Sequence, residues 1–183
     1  NYVCEREEME ELRLRAEADS VFLILSGQEV TTDIGDVLVF GAEESIRKHT
    51  SLDNIRKRYP AAAIVWAHPY RHGRIPGRRQ LMDPRFDAIE IFTTNHSMKE
   101  NSRALNDWHK YKFTAVCGSD THSVKTAGRF STQFDHPVES IMDIAREIKK
   151  GRCRPFFKEI PKAGTHLKAT EVIFGTKGKD ETR

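Results

Sequence analysis

The sequence has no long apolar run, no close cysteine pair and no strong excess of charge. No stretch approaches the roughly 18 consecutive apolar residues of a membrane-spanning helix, and the first residues lack a basic stretch followed by an apolar one, as a secretory signal has. Cys4, Cys117 and Cys153 are too far apart in the sequence for a zinc knuckle or a redox motif. These absences predict a cytoplasmic chain with reduced thiols and no membrane partner.

Size and charge narrow the class of protein further. The chain has 183 residues, 38% of them hydrophobic, which is about the length and composition of one packed domain. Its 30 basic and 27 acidic side chains leave a net charge of only +3. Such a balance gives no overall field that would drive the chain onto nucleic acid or membrane. No pattern indicates an oligomeric state.

Apolar periodicity predicts alternating strands and helices. Pro60 and Gly151 supply the stop signals of two of the helices. The predicted helices cover residues 5–18, 51–59, 97–110 and 138–150, and the predicted strands cover 21–25, 37–40, 61–66, 87–92, 113–117 and 130–134. This alternation predicts an α/β protein with mostly parallel strands. The domain is predicted over residues 1–160, and residues 161–183, rich in Lys, Gly and Thr, are predicted to form a C-terminal tail.

Metal-ligating residue types follow three of these predicted strands. Glu29 comes after the run at 21–25, His68 is the second residue after 61–66, and Asp120 and His122 come after 113–117. Because the carboxyl ends of parallel strands meet at one edge, we expect these side chains to lie together. Carboxylate and imidazole ligands suit Mn, Zn or Fe. The pattern therefore predicts a divalent metal site.

Each of these residues alone has an ordinary structural explanation. Glu29 in a loop is more often a cap or a surface ion pair, His68 before a proline is more often a core histidine, and Asp120 suits a helix N-cap. Four such residues after three strands, in segments that contain Gly27, Ala67, Pro69 and Gly118, are harder to explain in this way. Their coincidence favours a shared metal.

Five motifs give the chain a resemblance to a known family. They are GQEVTT at 27–32, GDVLVFG at 35–41, AHP at 67–69, DAIEIF at 87–92 and GSDTH at 118–122. In this order and spacing the chain resembles the PHP (polymerase and histidinol phosphatase) domain, especially the small stand-alone PHP phosphoesterases, over about residues 1–157. The resemblance implies a distorted (β/α)7 TIM-like barrel, incomplete at its N-terminus, with two or three divalent ions at the rim.

The resemblance also implies a role for each ligand. Glu29 would bridge two ions, His68 would bind one of them, Asp120 would complete the shell of the other, and His122 would bind a third. Together these four are the predicted catalytic residues.

The chain departs from the family pattern at three places. The family's His-x-His motif and a later Asp-His pair would precede Asn1, so the resemblance implies an N-terminally incomplete domain. Thr93 stands where the family has His, Asn or Cys, and Asn95 or His96 is the candidate replacement. We predict His96 as the ligand, the alternative being a surface or substrate-contacting residue. Asp36 stands where many members have His, and we interpret it as a supporting residue at the rim.

A basic loop follows His68. Residues 70–79, YRHGRIPGRR, contain four arginines. One Arg guanidinium group can donate two parallel hydrogen bonds to the oxygens of a phosphate. The alternative is a solvated surface loop. The predicted substrate-binding residues are Arg71, Arg74, Arg78, Arg79 and Arg129.

These features predict a metal-dependent phosphoesterase that hydrolyses a phosphate ester with metal-activated water. No Gly-x-Ser-x-Gly motif indicates a serine nucleophile instead. The expected substrate is a small phosphorylated metabolite, a nucleotide 3′,5′-bisphosphate or a short oligonucleotide. One alternative is an exonuclease or an oligonucleotide or nucleotide phosphatase with the same metals. The other is a degenerate PHP-like binding or structural module.

Overall fold

The structure is a computed structural model that describes residues 6–24, 27–156 and 164. The helices are α1 Arg6–Ala18, α2 Leu52–Arg58, α3 Arg78–Leu81, α4 Met98–Tyr111 and α5 Ile141–Lys149. The strands are β1 Gly27–Thr32, β2 Gly35–Phe40, β3 Ala63–Trp66, β4 Ala88–Phe92, β5 Ala115–Cys117, β6 Thr132–Phe134 and β7 Cys153–Pro155. The predicted helices are therefore confirmed, and α3, β1 and β7 were not predicted. The predicted C-terminal tail lies outside the described residues apart from Gly164.

The prediction of a (β/α)7 TIM-like barrel is wrong. The main sheet has five strands in the order β1-β2-β3-β4-β5, and β6 and β7 form a separate two-stranded sheet. β1, β2 and β3 pair antiparallel, whereas β3, β4 and β5 pair parallel. Within the described residues this mixed sheet does not close on itself, so the fold is α/β but not a barrel. A (β/α) barrel needs parallel strands with a helix after each one.

The tight turn between β1 and β2 is the local cause of this difference. Only Asp33 and Ile34 separate the two strands, so the chain reverses and the strands must pair antiparallel. The Thr32 hydroxyl donates to the Gly35 carbonyl over 2.7 Å and accepts from the Ile34 N–H over 3.3 Å. Gly35 has φ 120°, a conformation that glycine adopts without strain.

The predicted strand at 21–25 is also wrong over residues 21–24. These residues form no strand, and Val21 and Phe22 are 56% and 69% exposed. Leu25 lies outside the described residues. The strand forms instead at 27–32, where the turn at Asp33 supplies β2 as a partner. An apolar run becomes a strand only where a neighbour satisfies its backbone groups.

The central strands are buried on both faces. Every residue of β3 and β4 is buried, as expected for strands covered on both sides. On one face Val37, Val39 and Ile64 pack with Leu52 and Ile55 of α2. On the other face Ala63 and Val65 pack with α5. No helix in this described part of the chain is long and apolar enough to cross a bilayer.

Candidate metal centre

Three strands bring Glu29, Asp36 and His68 together. Glu29 lies in β1, Asp36 lies in β2, and His68 is the second residue after β3. Leu38 of β2 is opposite Glu29, and side chains alternate along a strand, so Glu29 and Asp36 project from the same face of the sheet. One potential ligand atom from each of the three residues lies within 4.8 Å of the other two. We call these three residues the metal cluster.

His68 is held in a constrained position. Its φ is 29°, which is uncommon for a residue other than glycine. Its backbone N–H donates to Glu90 Oε2 over 2.8 Å, and its Nε2 lies 3.1 Å from Glu29 Oε1. Nδ1 is buried and has no hydrogen-bond partner in the described structure. Burial acts to lower the pKa of His68, but the hydrogen bond to Glu29 and the surrounding carboxylates outweigh it and raise the pKa.

Glu90 is a site residue that the sequence reasoning missed. It lies in the middle of β4, is 3% exposed, and accepts the hydrogen bond from the His68 N–H. Burial raises the pKa of Glu90 to about 8, although the His68 N–H and ring oppose this rise. A Cβ at Gly118 would lie only 2.8 Å from Glu90 Oε1, so the glycine leaves room for the carboxylate. A carboxylate inside the apolar run AIEIF was the signal that could have revealed it.

Asp120 lies beside the metal cluster but is not one of its three members. Its charge raises the pKa values of His68 and Glu90, so it belongs to the same end of the sheet. Its Oδ2 accepts from Asn95 Nδ2 over 2.6 Å and lies 3.6 Å from Arg71 Nη1. His122 is exposed, with Nδ1 3.2 Å from the Asp120 carbonyl oxygen. The metal roles of Asp120 and His122 stay predictions.

The candidates at 93–96 lie beside the site, since Asn95 binds Asp120 and His96 interacts with His68, but none of them is one of the three members of the metal cluster. Thr93 is fully buried and its hydroxyl accepts from the Asn95 N–H over 2.9 Å. His96 is 8% exposed, with Nδ1 3.1 Å from Asn101 Oδ1 and Nε2 buried without a partner among the described residues. Burial is the main cause that lowers the pKa of His96. The described structure does not bring His96 into the metal cluster, and its role as a ligand stays a prediction.

The predicted substrate arginines divide into two groups. Arg74 is anchored to the site, because its Nη2 donates to the His68 carbonyl over 3.3 Å and its Nε donates to the Arg71 carbonyl over 3.0 Å. Arg71 is half-buried beside Asp120. Arg78, Arg79 and Arg129 are exposed. The structure therefore places Arg71 and Arg74 next to the metal cluster.

The donor set of the metal cluster fits a divalent cation. Ligand atoms that bind one ion at about 2.1 Å lie within about 4 Å of one another. The ligand atoms of the metal cluster lie within 4.8 Å of one another, so small side-chain rotations would let them bind the same ion. Two carboxylates and one imidazole are ligands for Mn, Zn or Fe. Buried polar atoms normally have a hydrogen-bond partner, and His68 Nδ1 has none among the described residues. A missing ligand of the imidazole fits this observation. These residues do not select among the three metals.

The stability of the metal-free protein should fall as pH rises from about 5 to 8. The folded pKa of Glu90 is raised to about 8, so folding favours the protonated carboxyl, and that stability is lost as the pH passes from the unfolded pKa to the folded one. The raised pKa of His68 acts in the same direction. In the presence of a chelator, Tm should fall by at least about 5 °C over this range. Glu90→Gln should flatten the profile, and an equally steep profile in that variant would contradict the assignment.

Comparisons with known proteins give a match to one family model and matches to solved structures. A protein-family model described as PHP-associated matches residues 99–153, a segment that includes Asp120 and His122 but not the metal cluster. Searched against curated proteins, the sequence has no significant match. PsfC from Pseudomonas syringae PB-5123 has a similar structure, with a TM-score of 0.57 and 15% identity.

The similarity to PsfC concerns the fold alone. It covers 72% of this chain and 58% of PsfC, so the chain spans less than two thirds of that protein. The PHP-associated segment contains α5 and nearly all of α4, which flank the strands described above. The matched segment contains one of the five motifs, GSDTH at 118–122, and is consistent with a relationship between this segment and PHP domains.

Proposed function

We propose that the chain is the metal-binding part of a phosphoesterase. The observation that supports this most directly is the convergence of Glu29, Asp36 and His68 on one point, with Arg71 and Arg74 beside it. Carboxylate and imidazole ligands next to guanidinium groups suit a cation and a phosphate ester together. The relationship to PHP domains supports the same conclusion.

In this proposal the protein residues have separate tasks. Glu29, Asp36 and His68 hold a cation, with Asp120 and His122 as further ligands. When bound, the cation neutralises charge on the phosphate and acidifies water. Arg71 and Arg74 pair with the phosphate oxygens and orient the ester, and Asp120 keeps Arg71 close to the metal cluster. We propose that the site binds two or three ions of Mn, Zn or Fe.

A chelator should abolish phosphate-ester hydrolysis, and Asp120→Ala should lower it by at least about 100-fold while the fold persists. The measurement is phosphate release from a panel of small phosphate esters, with circular dichroism as the check on folding. Asp135→Ala, which removes a carboxylate in the loop after β6, is the control and should retain activity. Undiminished turnover by folded Asp120→Ala would contradict the role of Asp120.

Arg78 and Arg79 favour one alternative, a nuclease that uses the same metals. Both are exposed at the start of α3, where they are available to a longer anionic substrate. Replacing both with Ala should weaken binding to a short single-stranded oligonucleotide and reduce its salt dependence. The same variant should leave small-ester hydrolysis unchanged if only the polymer reaches these residues. Absence of both hydrolysis and bound metal would favour a binding or structural module.

A further inference from the structure

A cavity lies between α2 and the loop that joins it to β2. Its volume is about 630 Å³, within the range of about 300–1,000 Å³ that is usual for small-molecule sites. It is formed by two short segments, residues 45–50 and 54–59. We call it the α2 cavity.

The α2 cavity is separate from the metal cluster. Its inner wall is formed by Ile46 and Ile55, which belong to the core that includes Val37 and Val39. Asp36 alternates with these valines along β2 and therefore projects from the opposite face of the sheet. A ligand in the α2 cavity would not share a site with a cation held by the metal cluster.

The charged side chains that line the α2 cavity are all basic. Arg47, Lys57 and Arg58 line it, and no Asp or Glu does. Arg58 is paired with Glu44, but the side chains of Arg47 and Lys57 form no hydrogen bond or ion pair within the described structure. A smaller neighbouring cavity of about 290 Å³ carries Glu43 and Glu44, so the purely basic lining is confined to the larger one. An anion would relieve the mutual repulsion of these cations.

The rest of the lining fits a ligand with a flat apolar part. Ile46 and Ile55 are 7% and 1% exposed and form an apolar floor, and the half-buried ring of Tyr59 lies beside them. The Arg58 guanidinium lies over this ring, 5.4 Å from its centroid. Ser45, Thr50 and Asn54 add hydroxyl and amide groups. We propose that the α2 cavity binds a mononucleotide, with its base on the apolar floor and its phosphate between Arg47 and Lys57.

Calorimetric titration of the full chain with adenosine 5′-monophosphate tests this proposal. A chelator is present throughout, so that binding does not depend on the metal cluster. The parent should bind the nucleotide, and replacing both Arg47 and Lys57 with Ala should weaken binding by at least about tenfold, because two charge-assisted contacts are lost. The control replaces Lys99 and Lys125, two exposed cations outside the α2 cavity, and should change binding by less than about twofold. Glu29→Ala should bind as the parent does.

Adenosine and inorganic phosphate, titrated separately, should each bind more weakly than the nucleotide, because each makes only half of the contacts. The proposal is overturned if the parent does not bind the nucleotide, if the two double variants lose affinity equally, or if phosphate alone binds as tightly. Tighter binding of a single-stranded oligonucleotide would overturn it in favour of a nucleic-acid surface. None of these outcomes depends on whether the chain hydrolyses phosphate esters.

Discussion

Glu29→Ala should remove bound metal from the purified chain. Glu29 supplies one of the three donor groups of the metal cluster, and it is also the residue that His68 Nε2 contacts. Loss of a supporting residue around a metal typically weakens binding by about 10–100-fold. Loss of a direct ligand should therefore weaken it by about 100-fold or more. Elemental analysis of parent and variant, purified identically, measures the occupancy.

The design separates loss of a ligand from loss of the fold. The Glu29 side chain is 47% exposed, so its removal opens no core cavity and Tm should change little. Glu43→Ala removes another exposed carboxylate outside the cluster and should keep full metal content. Equal metal in parent and Glu29→Ala would contradict the proposed centre. A parent without metal would support the interpretation as a binding module.

Elements with strong local signals were predictable from the sequence. The apolar runs of β3, β4 and β5 and the stop signals at Pro60 and Gly151 placed most of the central sheet and its helices. The open, mixed sheet that replaces the predicted barrel was not predictable in this way, because sheet closure depends on which strands pair. That pairing is fixed by the two-residue turn at Asp33 and Ile34, which lacks the Asn-Gly or Asp-Gly pair that usually marks a hairpin.

The candidate site was predictable where residue type and position agree. The structure brings together Glu29 and His68. His68 was predicted from the strand that precedes it, whereas Glu29 was predicted from a strand at 21–25 that does not form over 21–24, and it lies within β1 instead. Asp36 was predicted only as a supporting residue. Its place in the metal cluster depends on the antiparallel register of β1 and β2, which the sequence pattern did not reveal. The role of Glu90 arises from burial and from contact with the backbone of a residue 22 positions away, which no local pattern encodes.

Glu90→Ala should both destabilise the protein and weaken metal binding. The variant leaves the buried N–H of His68 without its acceptor, which costs about 1–3 kcal/mol. The removed atoms also leave a cavity in the core, which adds to the loss. Without Glu90 the unusual φ of His68 loses a restraint, so the ring should no longer be held towards Glu29 and Asp36. Metal affinity should therefore fall by about 10–100-fold.

Two further variants distinguish positioning of His68 from general support of the core. At pH 7 the metal-free Glu90 is largely protonated, since its pKa is raised to about 8, so Glu90→Gln has nearly the same shape and keeps an acceptor. It should retain metal affinity within about tenfold of the parent. Gly118→Ala would crowd Glu90 Oε1 and displace the carboxylate, so it should weaken metal binding without removing any polar group. Metal titrations of folded Glu90→Gln and Gly118→Ala measure this difference. One outcome would contradict the positioning role: Gly118→Ala binds metal as the parent does, and Glu90→Gln does not. Metal affinity would then depend on the charge of Glu90 and not on its hydrogen bond to the His68 N–H.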